Sequence, residues 1–126
     1  MFRYYSIIGI GKIGMTEMTD YSPDDWVVLK VKEGKGTFPF YKVLAGWRGG
    51  PYSATWRINS GITLVFDHED EVHFYGESGS IYRCPKEGYG LSGIQEDIYN
   101  DLRKKQEFNG QIFLMPEDTD WSEVKY

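Results

Sequence analysis

ITLVFDHEDEVHFYG, residues 62–76, is the stretch on which the fold turns. Two apolar runs, ITLVFD and EVHFYG, flank the polar connection His68-Glu69-Asp70, which is the pattern of a β-hairpin. A two-residue period puts Ile62, Leu64 and Phe66 on one face and Thr63, Val65 and Asp67 on the other. In the return strand Val72 and Phe74 alternate with His73 and Tyr75.

Short apolar runs separated by turn signals continue in both directions from this hairpin. Arg3–Ile10 reads as a first strand, stopped by Gly9 and Gly11. Met15–Asp25 reads as irregular, with a turn at Ser22-Pro23. Trp26–Lys32, WVVLKVK, is β-branched and then alternating, and Tyr41–Trp47 follows as another strand. Thr55–Asn59, Ile81–Cys84 and Gln111–Met115 complete the set. One helix is signalled. Ser92 at the N-cap and Gln95 three residues on match a capping box. Glu96 and Asp97 suit the positive end of the helix dipole, and Arg103, Lys104 and Lys105 suit the negative end. Ile94, Ile98 and Leu102 predict its buried stripe, with Gln95, Tyr99 and Arg103 beside it. The expectation is an α+β fold, a β-rich antiparallel sheet with one main C-terminal helix packed on it. Residues 1–116 form a single domain in this reading. Residues 117–126 form an acidic C-terminal tail, with Trp121 available to dock.

The chain has 126 residues, a net charge of −5, one cysteine and two histidines. A length of this order permits a hydrophobic core without disulfide staples. No apolar run approaches the ~18 residues of a membrane-spanning helix, and the N-terminus lacks the apolar core of a signal peptide. The lone Cys84 fits a reducing, cytoplasmic setting. General DNA or RNA binding is not expected, because such proteins cluster Lys and Arg against phosphate. The acid is uneven. It collects at Asp24-Asp25, at Asp67–Glu71 and at Glu117–Glu123, whereas Lys42–Arg57 carries Lys42, Arg48 and Arg57 and no acid.

No constellation of catalytic residues stands out. His68, His73, Asp67 and Asp70 lack a familiar metal-ligand spacing. No signature of a nucleophile surrounds Cys84. Gly9-Ile-Gly-Lys-Ile-Gly14 matches G-x-G-x-x-G, but no helical period follows it, as a dinucleotide site requires. No metal, cofactor or catalytic group is therefore expected. Two stretches carry binding chemistry. Trp56-Arg57-Ile-Asn59-Ser60-Gly61 combines a stacking ring, a guanidinium, an amide and a hydroxyl. Its other reading is a strand and a turn. Gly76-Glu-Ser78-Gly79-Ser80 offers hydroxyls and successive N–H groups that suit an anion, or is a tight turn between strands. Tyr82, Tyr89 and the helix N-terminus lie just beyond it.

The series W-R-x-N-S-G-I-T (Trp56–Thr63), Y-G-x-S-G-S-x-Y-x-C (Tyr75–Cys84) and Tyr89-Gly90 resembles small phage-encoded proteins. The whole chain resembles the Thoeris anti-defence sponges in size, layout and local texture. That resemblance implies a phage protein that binds and sequesters a cyclic ADP-ribose isomer without degrading it. It also implies a homo-oligomer with ligand sites at subunit contacts and, in some members, binding of cyclic oligonucleotides. No site residue is carried over from the family.

The candidate ligand residues rest on chemistry alone. Arg57 and Arg103 would pair with phosphates, and Trp56, Tyr82 or Tyr89 would stack on a base. Asn59, Ser60, Ser78, Gly79 and Ser80 would supply directional hydrogen bonds and close backbone approach. Ten tyrosines and four tryptophans exceed what one small core easily buries, so a homo-oligomer is expected. The alternative is an acidic phage protein that inhibits a host defence protein by direct binding, in the manner of anti-CRISPR or anti-restriction proteins. Asp67–Glu71 and Glu117–Glu123 would then occlude a basic groove.

Overall fold

Strand Asp25–Val31 (β4) is apolar on both faces and therefore needs cover on both. Trp26 and Val28 point one way, while Val27, Leu29 and Val31 point the other, and all five are buried. The computed structural model describes residues 5–8, 14–17, 19–32, 38–48, 55–105 and 111–126. It builds around β4 in three layers.

The first layer is a four-stranded antiparallel sheet in which β4 pairs with Phe40–Trp47 (β5), Val28 opposite Val43. Thr55–Ile58 (β6) flanks β5, and Ile112–Leu114 (β10) flanks β4 on its other side. The second layer is another four-stranded sheet, ordered β3-β9-β8-β7. Its members are Thr19–Tyr21 (β3), Ile62–Asp67 (β7), Glu71–Gly76 (β8) and Ser80–Pro85 (β9). Between the sheets lies an aromatic core of Trp26, Val43, Val72, Phe74, Tyr82 and Trp121. The third layer is the helix Gly93–Lys104 (α1). Its Ile98, Tyr99 and Leu102 pack on Val27, Leu29, Val31, Leu44 and Ile112. Tyr5–Ile8 (β1) and Gly14–Glu17 (β2) form a separate antiparallel pair, Ile8 opposite Gly14. No described helix is long and apolar enough to cross a membrane.

The α+β class thus holds, with the described strands divided between two four-stranded sheets and the separate β1–β2 pair. Other expectations change. Met15–Asp25 is not irregular throughout, because β2 and β3 fall within it and β4 begins at Asp25. Strand β3 pairs with β9 in the one parallel ladder among the described strands, Tyr21 opposite Tyr82. The short polar sequence TDY shows no period from which that pairing can be read. The glycine-rich segment is followed by strand β2 rather than a helix, and residues 9–13 themselves lie outside the described residues. Segment 117–126, expected as an acidic tail, carries Trp121 into the inter-sheet core, with Val124 and Tyr126 packed against it.

The β7–β8 hairpin is present, but its faces are not those of a simple alternation. The register slips between Ile62 and Leu64. A bulge inserts one residue and turns every later side chain to the opposite face. Ile62 and Val65 therefore point into the core, and Leu64 and Phe66 point out, 49% and 47% exposed.

The helix departs from expectation in a different way. Its most buried residue is Gln95, not a member of the Ile94, Ile98, Leu102 stripe. Gln95 Oε1 accepts from the Ser92 N–H at 3.3 Å and from the Ser92 hydroxyl at 2.8 Å, closing the cap. Its Nε2 donates to the carbonyls of Leu44 at 3.1 Å and Asp25 at 3.4 Å. The amide thus ties the helix start to the backbones of β4 and β5 and remains hydrogen-bonded while buried. Gly46 makes room for it, since a Cβ there would sit 2.6 Å from Gln95 Cδ.

Two stability measurements follow. In urea unfolding Ile62→Ala is expected to cost about 2–4 kcal/mol. Leu64→Ala and Phe66→Ala are each expected to cost less than about 1 kcal/mol. Equal costs would contradict the bulge. Gly46→Ala and Gln95→Ala are each expected to cost about 1–3 kcal/mol. The double variant is expected to be well short of additive, because the clash disappears with the Gln95 amide.

Candidate functional site

The two Ser-Gly turns, distant in sequence, meet in the structure. The Ser78 N–H donates to Ser60 Oγ at 3.0 Å, and the Glu77 N–H donates to the Gly61 carbonyl at 2.8 Å. Gly79, at φ +94°, closes the β8–β9 turn with its N–H on the Gly76 carbonyl at 3.0 Å. This left-handed backbone is open to glycine at little steric cost. Ser80 begins β9, where it pairs with Thr19. Asn59 lies under the junction, buried. It accepts from the Val43 N–H through Oδ1 at 2.9 Å and donates its own N–H to the Val43 carbonyl at 3.1 Å. Its Nδ2 is buried beside Gly76 and has no hydrogen-bond partner.

The other candidate residues do not join them around one pocket. Arg57 and Trp56 are neighbours on β6, so their side chains leave opposite faces. Arg57 lies over the Tyr21 ring, 4.6 Å from its centroid. It also hydrogen-bonds the Tyr82 hydroxyl. Tyr82 is buried against Tyr21 at 5.0 Å between centroids, so a base has no free ring face to stack on. Tyr89 is held edge-on to Trp26 at 4.7 Å, and its hydroxyl donates to the Met115 carbonyl. Arg103 is on the last turn of α1, over Tyr99 at 5.6 Å. Tyr82 and Tyr89 serve the packing of the layers, whereas Trp56, Arg57 and Arg103 stand at exposed positions of β6 and α1.

A different set of residues comes together where the sequence showed only two acidic segments about fifty positions apart. Lys86 is the hinge of the arrangement. Its ammonium pairs with Asp67 at 2.6 Å, and its N–H donates to the Asp70 carbonyl at 2.9 Å. On one side Lys86 lines an open cleft of about 450 Å³ with Glu69, Asp70, Glu71 and Glu87. On the other it lines a hollow of about 220 Å³ with Asp67, Glu117 and Asp118, floored by Trp26, Tyr89 and Trp121. The Asp67–Glu71 hairpin tip and the Glu117–Asp118 segment therefore form one face. Docking of Trp121 into the core holds the second segment there. His73 adds a contact at the rim, with Nε2 2.8 Å from Glu71 Oε1 and its ring 4.3 Å from that of His68. Among the described residues no three His, Cys, Asp or Glu side chains are placed to hold a metal ion.

The electrostatics of the interior are those of a core. Burial pushes the Cys84 thiol well above its usual range, and the Glu71 carboxylate pushes it further. Thiolate is the reactive form, so Cys84 is held in its inert state. Burial also raises Tyr82 to about 12 against the opposing charge of Arg57, and Tyr89 to about 12.

Comparison with protein-family models, with curated proteins and with solved structures returns no match.

The tyrosines give a pH test. An unfolded chain ionises Tyr near pH 10, while Tyr82 and Tyr89 stay protonated to about 12 in the native state. Their stabilisation is complete below pH 10 and is lost as pH rises toward 12. The urea midpoint is expected to fall across that window. The fall should be shallower in Tyr89→Phe, and an unchanged slope would place Tyr89 outside the core.

Proposed function

We propose that this protein acts by binding rather than by turnover. Its working surface is the acidic face around Lys86, offered to the basic groove of a nucleic-acid-handling partner protein. The supporting observation is the convergence of residues 67–71 and 117–118 on either side of Lys86. One ammonium, paired with Asp67, beside carboxylates from two segments leaves a negative field. Such a field attracts a basic surface and speeds encounter with it. This is the alternative to the sequestration that the sponge resemblance implies: an acidic phage protein inhibiting a host defence protein by direct binding.

A second reading, sequestration of a cyclic nucleotide, draws on the Ser60–Ser78 contact and on the partnerless Nδ2 of Asn59. It must accommodate Arg57, Tyr82 and Tyr89 being engaged within the protein.

The two readings separate by calorimetry. A capped hexa-arginine peptide is expected to bind with an affinity that falls as salt rises. Glu69→Lys/Asp70→Lys is expected to weaken binding at least about tenfold. Asp97→Lys/Asp101→Lys, which alters net charge equally on the exposed helix face, is expected to weaken it far less. Equal loss in the two variants would overturn the acidic-face reading. Heat on adding cyclic ADP-ribose isomers, unchanged by Glu69→Lys/Asp70→Lys, would establish the second.

A further inference from the structure

We propose that β7 is a receptor edge, to which an extended basic and apolar segment of the partner is added as a fifth strand. The inference rests on the acidic-face reading and names what that face grips.

Strand β7 ends its sheet among the described residues, with β8 on one side and no strand on the other. Its ladder with β8 pairs Leu64 with Tyr75, Val65 with Phe74, Phe66 with His73 and Asp67 with Val72. The bond from the His68 N–H to the Glu71 carbonyl at 2.9 Å sets the alternation of that ladder. Leu64 and Phe66 turn their backbone groups toward β8, and Val65 and Asp67 turn theirs to the open edge. An edge of this kind is a template for another strand. The sequence ITLVFD contains neither Lys nor Pro, the residues that commonly guard such an edge. The bulge at its start limits the usable length to Leu64–Asp67.

The side chains complete the recognition surface. Leu64 and Phe66 stand side by side on the outer face, about half exposed, and the Phe66 ring meets Tyr75 edge-on at 5.5 Å. An added strand would lay its own apolar side chains against them, as in strand-addition complexes. Immediately beyond Asp67 the chain enters the acidic tip. An incoming segment that pairs with Leu64–Asp67 is therefore carried past Glu69 and Asp70, both exposed. Charge complementarity selects a basic segment. It disfavours a second copy of this chain, which would bring a net −5 against a net −5.

The test is a nuclear magnetic resonance titration of the ¹⁵N-labelled protein with a capped alternating Arg–Val hexapeptide. Shifts are expected at residues 64–67, with slowed amide exchange at Val65 and Asp67. Leu64→Ser/Phe66→Ser is expected to weaken binding at least about tenfold while leaving hexa-arginine binding unchanged. The peptide itself supplies a check that needs no variant. Successive residues of a strand point their N–H groups to opposite edges, so N-methylating only the valines or only the arginines should abolish binding in one case and preserve it in the other. If hexa-arginine binds as tightly and moves only residues 68–71, the acidic-face reading stands and the edge is overturned. If neither peptide binds, both fall. Sedimentation showing a dimer that Leu64→Ser/Phe66→Ser dissociates would make the occupant a second copy and also overturn the proposal.

Discussion

Burial of β4 on both faces is the constraint from which the rest of the molecule follows. A strand with Trp26 and Val28 on one side and Val27, Leu29 and Val31 on the other has no face to offer to water. Each side must find a layer. The second sheet supplies one and the helix supplies the other, and β5 continues both surfaces through Val43 and Leu44. The two cores differ in character because their covers differ. A sheet brings wide aromatic contacts, and a short helix brings Ile98, Tyr99 and Leu102.

Placing the helix on such a sheet raises a polar problem, which Gln95 resolves. The start of a helix leaves backbone donors unpaired, and the β4–β5 backbones beneath present carbonyls. One amide side chain serves both, with its oxygen at Ser92 and its nitrogen at Leu44 and Asp25. Gly46 is the matching absence of a side chain. A leucine at position 95 would be more apolar yet would leave these groups without partners, which is costlier than burying a satisfied amide.

Function is shaped by what the core consumes. Tyr82 and Tyr89 are residue types used to grip nucleotides, and here they grip other layers of the protein. The Ser60 hydroxyl oxygen accepts from the Ser78 backbone N–H. Carboxylates remain at the surface, and those of two segments come near each other because Trp121 is buried and draws its acidic neighbours with it. Beside them runs a strand whose apolar side chains were turned outward by a single inserted residue. The exposed apolar pair Leu64 and Phe66 and the acidic tip thus belong to one hairpin.

The amino-acid sequence by itself determined the element types, because they rest on local causes. Two-residue alternation, β-branching in WVVLKV, the Ser92–Gln95 cap and the Gly-rich turns all act within a few residues. They placed β4 through β10 and α1 to within a few residues. What depended on distant partners was decided only in the tertiary structure. The facing of Leu64 and Phe66 depended on a bulge against β8, and the burial of Gln95 depended on carbonyls at positions 25 and 44. Strand β3, with three residues and no period, exists because β9 lies alongside it. The acidic face required two segments to meet across a fold, and charge along a chain carries no information about which loops the packing of a tryptophan brings together.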